Sequence, residues 1–217
     1  MIIENVRRLR AELPDYVTIV AASKTRTADE VLQLLDSGVI DVGENYVQEA
    51  EEKHHLIGDR ARWHCIGHLQ RNKVKKAVEI FDLIQTVDSL KIANEIDKRC
   101  SYINKKIPVM IEVNSAREDN KAGVFPERVL ELITEISPLE HISIVGLMTM
   151  GPLTDKSEEI RPYLRLTRKL FEEIAKEKIE GVDLQYLSMG MSSSYRVAVE
   201  EGSNMVRLGT IIFGERQ

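Results

Sequence analysis

Cysteine is scarce in this 217-residue chain: Cys65 and Cys100 cannot build a disulfide framework, and the apolar run around Cys65 suits a reduced core thiol. Aromatic side chains make up only 5% of the sequence, so aliphatic packing has to fill the interior. No apolar run reaches the roughly 20 residues needed to cross a membrane. The opening MIIENVRRLRAELPD has the pattern of a short amphipathic helix, not of a signal peptide. These absences point to the cytoplasm and away from a membrane. An excess of positive charge is missing too, since 30 Lys and Arg are interleaved with 35 Asp and Glu for a net charge of −5. Without a basic face to neutralise a row of phosphates, nucleic acid is not an expected partner. No Pro/Gly/Ser-rich linker divides the chain and no short repeat recurs, so residues 1–217 read as one domain, able to bury a substantial core.

What is present is an alternation. Short β-rich runs occur at Val17–Ser23, Ile40–Val42, Arg62–Ile66, Leu83–Thr86, Val109–Val113, Ile144–Leu147, Leu184–Leu187 and Met205–Leu208. Helical patterns lie between them, near 27–37, 45–56, 71–79, 88–101, 126–136, 156–178 and 193–201. This order predicts an α/β protein with a parallel sheet and crossover helices. VTIVAAS and VMIEV are nearly continuous apolar runs, as expected of strands covered on both faces. Eight strands can close into a (β/α)8 TIM barrel, here with an extra N-terminal helix. An open doubly wound sheet also fits the alternation, but the G-x-G-x-x-G turn after the first strand is absent.

Loops leaving the carboxyl ends of barrel strands build the active site. The first strand ends in Ala21-Ala22-Ser23-Lys24-Thr25-Arg26, before a helix that Thr27 can cap, which sets Lys24 at the mouth. A partly desolvated lysine presents a neutral amine, the form that attacks an aldehyde to make a Schiff base. A lysine after a strand also commonly faces solvent or pairs with phosphate, so position alone does not decide. After the seventh strand, Ser188-Met189-Gly190-Met191-Ser192-Ser193-Ser194 leads into a helix, and its N–H groups and hydroxyls can converge on an anion. A helix cap and a turn is the plainer reading of the same residues. After the eighth, Arg207-Leu208-Gly209-Thr210 adds a glycine for close approach and another hydroxyl, and loops seven and eight are the usual phosphate site of these barrels. Together they favour phosphate. Ser194 replaces the last glycine of G-x-S-x-G, which argues against a serine hydrolase.

Five spaced blocks resemble those of the pyridoxal phosphate homeostasis protein family, single-barrel relatives of the alanine racemase N-terminal domain. They are Ala22-Ser23-Lys24-Thr25, Gly43 to Glu49, Trp63 to Lys73, Ser188 to Ser192, and Val206 to Thr210 with Ile212-Phe213-Gly214 beyond. The resemblance implies a fold type III barrel that binds pyridoxal 5′-phosphate as a Schiff base on Lys24. Asn45 would lie beside the ring, Ser192, Gly209 and Thr210 would hold the phosphate, and Arg207 would face the pyridine nitrogen. Ser193 is added as a neighbouring donor at a helix N-terminus. An always-protonated arginine disfavours protonation of that nitrogen and makes the ring a poorer electron sink. The chain departs from the family at Ser193-Ser194, where relatives often carry an acidic residue, and at Cys65, where a bulky apolar residue is common.

His64, Cys65 and His68 invite a metal, but neighbours on a strand point to opposite faces, and a core thiol with rim histidines is expected. His54 and His55, with Glu51, Glu52 and Lys53, read as a solvated face. Residues 114–123 read as a mobile polar rim loop in which Lys121 has no catalytic role, and Met148 and Met150 as rim packing. Proton transfer at both faces of a substrate carbon needs two acid–base groups, and Lys24 supplies one. The resembling racemases take the second from a further β-rich domain, whereas this chain ends soon after Arg207. The expectation is a carrier and not an enzyme. It would buffer pyridoxal phosphate, pass it to pyridoxal phosphate-dependent apoenzymes and influence amino-acid and keto-acid balance, as a monomer or at most a weak dimer. Two alternatives stand beside it: a small racemase-like enzyme using Lys24 with Tyr46, His64 or His68, and a phosphosugar aldolase whose Lys24 attacks its substrate directly.

Overall fold

Along β1 (Thr18–Ala22) the side chains alternate: Ile19 and Ala21 pack outward, whereas Val20 and Ala22 turn inward. The computed structural model, which describes residues 1–152, 154 and 156–215, repeats this division around a closed barrel of eight parallel strands. After β1 come β2 (Asp41–Glu44), β3 (Arg62–Cys65), β4 (Leu83–Val87), β5 (Ile107–Glu112), β6 (Ile142–Met148), β7 (Val182–Ser188) and β8 (Met205–Leu208). Closure of β8 on β1, with Ala21 opposite Leu208, excludes the open sheet.

Outward residues such as Trp63, Ile84, Ile111 and Leu147 join one apolar layer beneath the helices, while Val20, Ile66, Leu83, Met110, Met148 and Met205 fill the barrel. Strands β5 to β7 run longer than the apolar runs suggested, because Ser143, Asp183 and Gln185 interrupt the hydrophobic pattern without interrupting the backbone pairing. The register shifts between Ile144 and Gly146, and a Cβ on Gly146 would come within 2.1 Å of the Tyr186 carbonyl oxygen, so only glycine fits that approach.

The crossover helices are α2 (Ala28–Leu35), α3 (Val47–Ile57), α4 (Val74–Ile80), α5 (Leu90–Tyr102), α6 (Val129–Ile136), α7 (Arg161–Lys176) and α8 (Tyr195–Glu200). Several start later than expected, because single 3₁₀ turns at Arg71–Lys73, Pro126–Arg128 and Ser157–Ile160 precede them. Thr27 caps α2 as expected, in a reciprocal capping box with Glu30 worth about 1 kcal/mol. A last short helix, α9 (Thr210–Phe213), was too brief to leave a period in the sequence.

The N-terminal helix α1 (Ile2–Glu12) buries Ile2, Val6 and Leu9, each worth about 1.5–3 kcal/mol. It grips the elements after β7 and β8. Asn5 donates to the Ile212 carbonyl at 2.8 Å, and Glu12 accepts from the Tyr195 hydroxyl at 2.9 Å and pairs with Arg196. Among the described residues no helix is long and apolar enough to cross a membrane.

Candidate functional site

The turn that carries Lys24 is fixed on every side but its own. Ser23 is fully buried, its N–H donating to the Gly43 carbonyl at 2.9 Å and its hydroxyl to Glu44 at 2.5 Å. Lys53 reaches in from α3 to donate to the Ser23 carbonyl at 2.7 Å and to Glu44 at 2.6 Å. Thr25 takes a left-handed φ of 65°, a strained conformation for a β-branched residue, and its N–H donates to Glu49 at 2.8 Å. Arg26 stacks over the Phe213 ring at 5.5 Å and donates to the Gly214 carbonyl. Lys53 thus holds both Glu44 and Glu49, the carboxylates that bond to the residues on either side of the half-buried Lys24.

Lys53 therefore corrects the reading of α3 as a solvated face. It is 7% exposed, drawn inward by Glu44, whose carboxyl is held above its usual range by burial although Lys53 and Ser23 bond to it. His55 is exposed, and the half-buried His54 leans on Trp63 with 5.9 Å between ring centres.

Beside this turn lie the loops after β7 and β8. Gly190 has a φ of 93°, and a Cβ there would come 2.6 Å from that of Ala198, so glycine folds this loop tightly onto α8. Its carbonyl accepts the Arg207 N–H at 3.0 Å, joining the two loops. The Ser192 hydroxyl accepts from the Gly209 N–H at 3.2 Å and lies 3.5 Å from the Ile211 N–H. Ser194 turns inward to accept from the Met191 N–H, whereas Ser193 and Thr210 are exposed and are not drawn into this contact.

Arg207 is buried and clamped from one side. Its Nη1 donates to the Ser188 carbonyl at 2.9 Å and the Ser188 hydroxyl at 2.6 Å, and its Nη2 to the Thr149 carbonyl at 2.8 Å. These bonds leave Nε–H and one Nη2 proton for another acceptor. Burial lowers its pKa to about 10, opposed by Glu112, so it remains a cation at neutral pH. Behind it a polar chain crosses the barrel: Ser188 donates to Gln85 at 2.7 Å, Gln85 to His64 Nδ1 at 3.0 Å, and His64 Nε2 to Asp41 at 2.9 Å. That order of donors sets the neutral His64 tautomer. Burial alone would raise Asp41, but hydrogen bonds from His64 and Arg62 outweigh it and hold the carboxylate below its usual range.

His64 is thus no rim histidine; inward alternation on β3 buries it in mid-barrel. Cys65 points the other way, and burial pushes its thiol up to about 12, as befits an inert core group. His68 is exposed, 3.6 Å from Asp88. Among the described residues no group of three or more His, Cys, Asp or Glu is placed to hold a metal.

The opposite wall of the mouth contains a cavity of about 190 Å³ lined by Asn45, Gly67, His68, Glu112, Ser115 and Lys121, among others. A Cβ on Gly67 would come within 2.3 Å of the Asn45 carbonyl oxygen, so glycine is what lets Asn45 sit there. The loop over 114–123 is folded around the Asn114 side chain, which donates to the Glu118 carbonyl at 2.8 Å and accepts from the Glu118 N–H at 3.1 Å. Lys121 bonds to Glu118 at 2.7 Å, Met150 is exposed at this mouth, and Met148 lies fully buried inside the barrel.

Glu112 escaped the sequence reading. It is 5% exposed, follows Met110 inward on β5, and its Oε2 has no partner among the described residues. Burial pushes its carboxyl up to about 7, with Asp88 adding to the rise and Arg207 opposing it. A lone charge inside the apolar run VMIEV was the available signal.

A model of the alanine racemase N-terminal domain matches residues 1–217. A pyridoxal phosphate homeostasis protein of Aquifex aeolicus is 40% identical over 200 residues, 92% of this chain and 87% of that protein. The chain belongs to the pyridoxal phosphate homeostasis protein family. A member of that family from Pasteurella multocida is 36% identical over 203 residues, covering 92% of this chain and 87% of its own. The solved structure of PipY from Synechococcus elongatus with pyridoxal phosphate bound matches with a TM-score of 0.90 at 33% identity, over 99% of this chain and all of that one (100%). An alanine racemase of Clostridium difficile shares the fold, with a TM-score of 0.84 at 20% identity, this chain covering 56% of its length. Within the homeostasis family's barrel, then, Asn45, Lys24, Arg207 and Gly209 stand on or just after the consecutive strands β2, β1 and β8, and Ser192 reaches them from the loop after β7.

Proposed function

We propose that this chain binds pyridoxal phosphate reversibly through Lys24 and serves its homeostasis as a carrier, with the barrel of residues 1–217 holding the whole site. The observation that carries this reading is one neighbourhood: the turn after β1 that carries Lys24, the unspent N–H groups of Arg207 on the adjoining β8, and the Gly209 and Ile211 N–H groups that meet at Ser192. When bound, the cofactor supplies an electrophilic aldehyde on an electron-withdrawing ring. Lys24 would hold the aldehyde carbon covalently as a Schiff base, with loss of one water. Ser192, Gly209, Thr210 and Ser193 would receive the phosphate, Asn45 would flank the ring, and Arg207 would donate to the pyridine nitrogen. A Cβ on Gly209 would meet the Ala22 carbonyl oxygen at 3.4 Å, an ordinary contact, so packing does not demand glycine there, and close approach by a ligand does.

A cationic Arg207 keeps that nitrogen unprotonated, which suits retention better than carbanion chemistry. Of the partners proposed for Lys24 in a racemase, Tyr46 is 60% exposed and His64 is committed to Asp41 and Gln85. Glu112 is the one observation in favour of that second reading. The free, buried thiols of Cys65 and Cys100 suit the reducing cytoplasm, where pyridoxal phosphate-dependent apoenzymes would be the recipients.

Added pyridoxal phosphate should give the purified protein an absorption band near the violet edge that Lys24→Ala abolishes. A protein that stays colourless sinks the reading and leaves the aldolase. The loaded protein, incubated with L- and D-amino acids in deuterated water, should neither racemise nor α-deuterate them at turnover scale; if it does, it is an enzyme.

A further inference from the structure

Among the described residues, Glu112 is the one inward carboxyl at the mouth that the proposed cofactor contacts leave unused. It lines the cavity shared with Asn45, His68 and Lys121, nine-tenths buried, with an oxygen that has no partner among the described residues. A buried polar atom left unsatisfied is costly, and such an atom on a carboxyl that lines a cavity at the mouth points to a ligand that completes the group. The charged groups around it pull in both directions. Arg207 from β8 favours the carboxylate, Asp88 after β4 favours the acid, and His68 and Lys121 share the cavity.

We propose that Glu112 couples the site to its ligand, taking up a proton when an anionic phosphate ester enters and then donating a hydrogen bond into the mouth as a neutral acid. This rests on the pyridoxal phosphate reading and extends it. A phosphate brings close to two negative charges to the mouth, and each added negative charge disfavours a second ionised group beside it. Arg207, engaged by the ligand, also has less to offer the carboxylate. The sign follows from linkage: the ligand favours the protonated form, so affinity is highest where Glu112 is already neutral and falls as pH rises through and above about 7. Glu112 is thereby a positioning residue for the ligand's charge, and retention of the cofactor tightens on acidification.

Two probes separate this effect from the covalent step. Pyridoxine 5′-phosphate carries the same ring and phosphate but no aldehyde, so its binding does not pass through Lys24. Calorimetric titration in two buffers of different ionisation enthalpy counts protons directly. The wild-type protein should take up a fraction of a proton per ligand at pH 7.5, and Glu112→Gln should lose that uptake. Between pH 6.5 and 8.5 wild-type affinity should fall roughly fivefold relative to Glu112→Gln, within the tenfold that one pKa unit allows. Equal proton counts in the two proteins, or parallel pH profiles, overturn the coupling while leaving the cofactor reading intact. Failure of wild type to bind pyridoxal phosphate at any pH overturns both. Should Glu112→Gln not fold, the wild-type proton count at pH 7.5 still decides, because no uptake refutes the proposal.

Discussion

The wall of the mouth built by β7, β8, β1 and β2 and the wall built by β3, β5 and β6 differ in how their buried charges are paired. On the first, Lys53 donates to Glu44 Oε1 and the Ser23 carbonyl, although Glu44 Oε2 has no partner among the described residues; Ser188 holds Arg207 together with the Thr149 carbonyl from just after β6, and Ser192 occupies the Gly209 N–H. On the second, Glu112 lines an open cavity and, among the described residues, has neither an ion-pair partner nor a hydrogen bond to its buried Oε2. The first wall is organised before any ligand arrives, so little ordering entropy is lost there on binding. The second keeps a group whose charge state is still free to change. On the proposed binding mode, affinity would come from the first, and sensitivity to conditions from the second.

The largest effect should come from breaking the organised wall beneath Lys24. Lys53→Met leaves Glu44, fully buried, without its counter-charge, and removing one partner of a buried pair costs about 3–5 kcal/mol. Urea unfolding should show that loss, and Glu44→Gln added to Lys53→Met should recover part of it. If Lys53→Met unfolds like wild type, this wall is not held by the pair and the contrast between the walls fails.

The fold beneath this contrast was legible in the sequence, and the illegible part has a physical pattern. The strand order, the barrel, Thr27 as a cap, and the loops that carry Lys24, Ser192 and Gly209 all follow from local signals: apolar runs, a capping box, glycines at turns. Lys53, His64, Gln85 and Glu112 were misread or passed over because their meaning depends on residues far along the chain. Lys53 looks like any helix-surface lysine until Glu44 draws it inward, and His64 looks like a rim group until Asp41 and Gln85 are brought to it. A polar residue on the inward phase of an otherwise apolar barrel strand, as in LIQTV or VMIEV, is the signal that finds such groups.

The second wall should show its unspent group as a pH-dependent defect. An acid whose folded pKa lies above its unfolded value costs nothing below the unfolded pKa, and its penalty is complete once pH exceeds the folded one. With Glu112 raised to about 7, the ligand-free protein should lose up to about 3 kcal/mol between pH 4.5 and pH 7.5 through this residue. Glu112→Gln should therefore melt higher than wild type at pH 8 and alike at pH 4.5. A constant difference between them across that range would show that Glu112 does not titrate there.

Ser192→Ala gives the smallest effect and the cleanest separation of the two walls. The hydroxyl accepts from Gly209 and lies within reach of Ile211, so its loss removes one tie between partly exposed loops, with stability expected to change by less than about 0.5 kcal/mol. Its proposed share in holding a phosphate would be a charge-assisted hydrogen bond, worth about 1.5–3 kcal/mol. Spectroscopic titration should then show pyridoxal phosphate binding weakened by roughly tenfold or more at every pH, because nothing titrates at this position. Ser193→Ala, at an exposed position outside the contact, should cost less. If Ser192→Ala instead altered the pH profile while leaving affinity near its maximum untouched, organisation and sensitivity would not be divided between the walls at all.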